Sequence, residues 1–188
     1  MIGAFALGLK IALAQDGFGM PVPWKDPGFG KIIWVQSPNF DERPPDAVID
    51  TVVVHATAGA SLEGTTKWFY SKESKVSAHF TIGKDGSIVQ NLSTFQRAWH
   101  AGKSEFLGRD NVNHFSIGIE LVNLNDGKDP YPERQALALR FLISAMKRRF
   151  PLKYITSHEF IARPSGRKSD PLGFSFESLG GLGLDIRK

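Results

Sequence analysis

Three consecutive valines, Val52, Val53 and Val54, run directly into His55, and this feature constrains the fold more than any other. A strand open to solvent on one side alternates apolar and polar residues. An unbroken branched run suits a strand covered on both faces. Residues 48–56 are therefore predicted to form a central strand of a sheet, with an imidazole at its end.

The remaining elements are read around that strand. Residues 61–70 suit a helix, with Ser61 as its cap and Glu63 in its first turn. Residues 78–83 and 87–92 read as short strands joined through Lys84-Asp85-Gly86, a hairpin turn signal. In residues 115–122, Ile117, Ile119 and Leu121 fall on one face, and Gly118 and Glu120 on the other. Residues 132–150 form the best helix, opened by Pro132, with Leu139, Ile143, Met146 and Phe150 as its buried stripe. Residues 155–158 read as a strand leading into a loop. Strands and helices interleave, so the expected fold class is α/β: a single domain with a central mixed sheet flanked by helices.

That domain is expected over residues 31–177, with residues 32–46 as loops leading in and residues 178–188 as a peripheral Gly-rich tail. Residues 1–30 divide into an apolar stretch ending in Ala12-Leu13-Ala14 and a Gly/Pro-rich linker. The Ala-x-Ala pattern resembles an export cleavage site, although Lys10 interrupts the apolar run. If it is an export signal, the expected location is the cell envelope or the medium; otherwise it is the cytoplasm. No segment is long enough for stable membrane insertion. The chain is expected to act as a monomer.

The absence of cysteine rules out disulfides, thiolate nucleophiles and Cys-ligated metals, so a metal here needs His, Asp or Glu. A net charge of +4 is compatible with a polyanionic partner. Nucleic acid is not expected, because there is no Lys/Arg stripe with interleaved aromatics. The densest basic cluster, Lys147-Arg148-Arg149, ends the predicted helix, where cations complement its dipole.

Three polar groups fall at strand ends or in the loops that follow: His55, His158 and Asp170. Two imidazoles and one carboxylate can hold Zn²⁺ and leave a fourth position open, as in catalytic zinc sites. Spacing alone does not establish this. A lone strand-end histidine is more often a hydrogen-bonded core or surface residue, and Asp before Pro is a common turn starter. Two further residues add weight. Glu120 is a carboxylate in an otherwise apolar strand, which is costly without a partner or a task; general-base work on water is one such task, and a buried salt bridge is another. Lys168 lies two residues before Asp170, so in an extended segment both side chains point the same way. Its ammonium could stabilise a developing oxyanion, or it could be an ordinary solvated lysine.

Five segments in order then carry a resemblance: VVVHATAG at 52–59, VSAHFTIGKDGSIVQ at 76–90, RAWHAG at 97–102, NHFSIGIELVN at 113–123 and SHEFIARPSGRKSDP at 157–171. Together they resemble the zinc-dependent N-acetylmuramoyl-L-alanine amidases, whose fold is shared with peptidoglycan recognition proteins and phage T7 lysozyme. The resemblance implies one Zn²⁺ held by His55, His158 and Asp170, with Glu120 activating water and Lys168 assisting the transition state. It implies a substrate-cleft segment at Trp99, His100 and Ala101, with His100 as a substrate contact. His79 is expected to be structural and His114 incidental.

The implied activity is hydrolysis of the amide between N-acetylmuramic acid and L-alanine in peptidoglycan or muropeptides. The alternative is a non-catalytic peptidoglycan-binding protein on the same fold, although such proteins usually lack a ligand that is present here. Two departures stand out. Leu172-Gly173 follows Asp170-Pro171 where many relatives have Gly-Pro. The loop at 105–113 carries one cation, Arg109, expected to grip the stem peptide.

Overall fold

The computed structural model describes residues 32–188, so the apolar segment and linker expected over residues 1–30 lie outside the described residues. In chain order the strands are β1 (Ile33–Trp34), β2 (Phe40–Glu42), β3 (Thr51–Ala56), β4 (Phe80–Ile82), β5 (Ile88–Gln90), β6 (Gln96–Ala98), β7 (Glu105–Phe106), β8 (Arg109–Asp110), β9 (Ser116–Leu121), β10 (Tyr154–Ser157) and β11 (Asp185–Arg187). The helices are α1 (Leu62–Tyr70), α2 (Glu133–Lys147) and the single turn α3 (His158–Ile161).

Seven strands make one mixed sheet in the order β1-β5-β4-β9-β3-β10-β11. The β4–β5 pair is antiparallel, as the Asp85-Gly86 turn predicts, and the other pairs are parallel. The valine run forms β3, between β9 and β10, and all six of its residues are buried. Its two faces meet different cores. Val52 and Val54 pack with Ile117, Ile119, Leu121 and the α2 stripe of Leu139, Leu142, Ile143 and Met146. Val53 packs with Ala101, Phe106, Val112, Phe115 and Ile161. Each fully buried aliphatic side chain contributes about 1.5–3 kcal/mol, so the α2 stripe anchors one layer of the fold.

The α1 cap is as expected: the Ser61 side chain accepts from the Gly64 N–H. Pro132 sits one position earlier than expected, at the N-cap of α2, where its backbone is extended with ψ at 150°. His158 does not end a strand; it opens α3, whose cap is Ser157.

Two terminal expectations need correction. Residues 32–46 are not loops alone, because β1 pairs with β5 and β2 pairs with β6. The tail from Ser178 is not peripheral. Leu179 is buried, β11 lies parallel to β10 with Ile186 opposite Ile155, and Arg140 of α2 donates to the Ser178 and Gly180 carbonyls. The glycines mask an alternation of Leu182, Leu184 and Ile186, all packed against the core. Among the described residues no helix is long and apolar enough to cross a membrane.

Candidate metal centre and cleft

The three central strands β9, β3 and β10 run parallel, so their carboxyl ends share one edge of the sheet. In open α/β sheets that edge is where sites form. His55 lies near the end of β3, Glu120 near the end of β9 directly opposite it, and His158 just beyond β10. The two-residue period turns His55 and Glu120 away from α2, on the face that also carries Val53 and Gly118.

Asp170 completes the group from a loop fastened on both sides. Its carbonyl accepts from the Glu159 N–H, and next to it Asn125 bonds the Ser169 hydroxyl and the Leu172 N–H. Leu172, the departure noted in the sequence, thus leaves the loop anchored. Further back, Arg167 donates to the carbonyls of Ala101, Lys103 and Arg163, tying this loop to the segment that follows β6.

The Asp170 Oδ2 lies 3.1 Å from His158 Nδ1 and 3.4 Å from His55 Nδ1, and all three residues are buried. One donor atom from each lies within 4.8 Å of the others. Ligands about 2.0–2.1 Å from a tetrahedral ion are spaced roughly 3.3 Å apart, so the donor set and its spacing fit zinc.

Beside this group the Glu120 Oε2 is buried with no hydrogen-bond partner. Burial first, and the Asp170 charge second, push its carboxyl up to about 8, with Lys168 opposing. Glu120 makes no ion pair among the described residues, and a carboxyl in such a setting is suited to acid–base chemistry.

The cleft has a volume of about 640 Å³. Its lining includes Trp68, Val76 and Trp99, the loop residues Arg167, Lys168 and Ser169, and Glu120, His158 and Asp170 of the centre. Trp99 is held at the rim by its indole N–H, which donates to Asp41 over 2.7 Å.

Three of the expected substrate contacts are placed differently. His100 reaches the cleft wall, but both ring nitrogens are engaged by protein: Nδ1 is 3.0 Å from His55 Nε2, and Nε2 is 3.2 Å from Ser116 Oγ. Ala101 is fully buried and serves the site through its carbonyl, 3.3 Å from His158 Nε2. Arg109 is absent from the cleft lining. It pairs with Asp50 at 3.0 Å and stacks over Phe115 at 3.9 Å, near the opposite end of β3 from His55.

His79 is structural, as expected. Its buried Nδ1 accepts from the Gly118 N–H.

Sequence reading passed over three supports. Ser116 stands behind His100. The Asn113 side chain accepts from the His100 and Ala101 N–H groups. Arg43 donates to the carbonyls of Thr94, Asn113, His114 and Ser116, fastening the segment that covers this face. A lone arginine before Pro-Pro carries no sequence signal of such a role.

A mixed sheet with a buried His-His-Asp group, an orphan carboxylate and a cleft at its carboxyl edge defines a metal-dependent hydrolase of the α/β class. Residues 44–173 match the family described as N-acetylmuramoyl-L-alanine amidase, and the chain belongs to that family. It is 35% identical over 158 residues to the 1,6-anhydro-N-acetylmuramyl-L-alanine amidase AmpD of Escherichia coli K12, covering 73% of this chain and 83% of that one. A crystal structure of a selenomethionine derivative of AmpD superposes with a TM-score of 0.64 and 31% identity, covering 79% of this chain and 92% of the other. The amidase AmiD of E. coli, solved with anhydro-N-acetylmuramic acid-L-Ala-D-gamma-Glu-L-Lys, gives 0.66 at 27% identity, over 77% of this chain and 62% of the other.

Proposed function

We propose that this chain is a zinc amidase that cleaves the amide joining N-acetylmuramic acid to L-alanine, acting on 1,6-anhydro-muropeptides. The AmpD relatives carry that substrate in their name, and AmiD was solved with a molecule of the same chemistry. The observation that carries the proposal is the convergence of His55, His158 and Asp170 beside Glu120, whose buried Oε2 has no hydrogen-bond partner.

His55, His158 and Asp170 would hold the ion. Zn²⁺ bound there supplies Lewis acidity, acidifying water and polarising a carbonyl. The chain's own residues do the rest. Glu120 takes a proton from the attacking water at its free Oε2 and returns it to the L-alanine nitrogen as that amine departs. Lys168 presents its ammonium to the oxygen that gains charge. Trp68 and Trp99 offer apolar faces to the sugar ring, and the walls limit water around Glu120.

A complete ligand set beside an orphaned base favours an enzyme over a binding protein on the same fold. The test is mass spectrometry of products from a synthetic anhydro-N-acetylmuramyl tripeptide, with and without a zinc chelator. The expected result is free tripeptide and anhydro-sugar, released only without chelator. Tight binding with no cleavage by the zinc-loaded protein would overturn the proposal.

A further inference from the structure

The hydrogen-bond chain behind His55 begins at an atom whose role is fixed. The Val112 carbonyl oxygen can only accept. Ser116 Oγ lies 2.6 Å from it, which commits the single hydroxyl proton of Ser116 there. Toward His100 Nε2, at 3.2 Å, Ser116 is then an acceptor, so Nε2 carries a proton.

The His100 ring is buried and makes no ion pair among the described residues, a setting in which a charged ring would be costly. It is therefore neutral, and its Nδ1 is bare. That bare nitrogen lies 3.0 Å from His55 Nε2, so the proton between them belongs to His55. With Nε2 engaged by His100, His55 turns its Nδ1 toward Asp170. The Ala101 carbonyl lies 3.3 Å from His158 Nε2, while His158 Nδ1 faces Asp170 at 3.1 Å.

We infer that His100, backed by Ser116, is a positioning residue that sets the tautomer and orientation of His55 before any ion arrives. It would thereby pre-form one corner of the metal site proposed above, on which this inference rests. Gly118 makes the arrangement possible. A Cβ built there would lie 2.5 Å from the His100 ring, so only glycine lets that ring lie against β9. Outer partners of ligating histidines fix ring orientation and raise ligand basicity.

The experiment reads zinc affinity and tautomer rather than turnover. In His100→Leu the acceptor is gone. In His100→Asn the side-chain oxygen stands where Nδ1 stood and accepts from His55. By chelator competition, His100→Leu is expected to bind zinc about 10- to 100-fold more weakly than the wild type, while His100→Asn recovers most of that loss.

A long-range ¹H–¹⁵N spectrum of the zinc-free wild type is expected to show His55 protonated on Nε2. Equal affinity in the wild type and a folded His100→Leu would overturn the inference, as would equal loss in both variants. So would a bare His55 Nε2 in the zinc-free protein, a result independent of whether either variant folds. A wild type that takes up no zinc would instead sink the metal-site proposal, and the tautomer spectrum would still decide the role of His100.

Discussion

His55 and Glu120 are register partners across β3 and β9, so both side chains leave the sheet on the face opposite α2. A ligand and a base are thereby fixed to the same rigid pair of strands. Their relative position is set by backbone hydrogen bonds deep in the core rather than by loops. A site built on strands holds tighter tolerances than one built on loops. The loop residues Lys168 and Asp170 reach comparable order only through the Asn125 and Arg167 ties.

Glu120→Gln keeps the shape of the cleft and removes the base. It is expected to bind zinc as the wild type does and to lower kcat about 10²–10⁴-fold. Metal content and steady-state kinetics on the same preparation check this. Full activity in that variant would remove Glu120 from the mechanism.

The same carboxyl makes the stability of the metal-free protein depend on pH. It ionises at its ordinary value in the unfolded chain but at about 8 in the native one. The native state therefore holds a proton that the unfolded state has lost. Stability is full below the unfolded value and falls as pH rises to about 8, by about 1.4 kcal/mol per unit. His55, drawn down to about 4, and His79, drawn down to about 3, both chiefly by burial, act in the opposite sense on the acid side of the ordinary imidazole value. From there to about 8, Glu120 dominates. Urea denaturation in chelator should show the wild type losing up to ~2 kcal/mol across pH 6.5 to 8 and Glu120→Gln losing almost none. Equal slopes in the two proteins would place the raised carboxyl elsewhere.

Arg109 is expected to act on stability rather than on substrate, because it pairs with Asp50 away from the cleft. Arg109→Ala strands the buried Asp50 carboxylate and is expected to cost about 1–3 kcal/mol. With the cleft untouched, kcat/KM should stay within about threefold of the wild type, well under the effect of removing a group that binds the transition state. Denaturation and kinetics together separate the two roles. A large rise in KM at unchanged stability would return Arg109 to the substrate.

The central strand, the hairpin, the α2 stripe and the grouping of His55, His158 and Asp170 were legible in the sequence, because each depends on local pattern or on residue types the chemistry requires. The valine run could hardly be anything but a doubly covered strand. The directions of side chains were not legible. Arg109 turned to Asp50, 59 residues earlier in the chain, and His100 turned beneath His55; both choices are made by tertiary neighbours. β11 was hidden because its glycines outweigh a three-residue alternation. β1 and β2 are too short for a periodicity to register.

Zinc content by elemental analysis, in the wild type and in Asp170→Ala after equilibration with one equivalent of zinc and desalting, bears most directly on the three-residue centre. About one ion per chain in the wild type and less than roughly a tenth in the variant is the predicted result, since the loss of one of three ligands removes most of the binding energy. A full complement of zinc in Asp170→Ala, or none in the wild type, would contradict it.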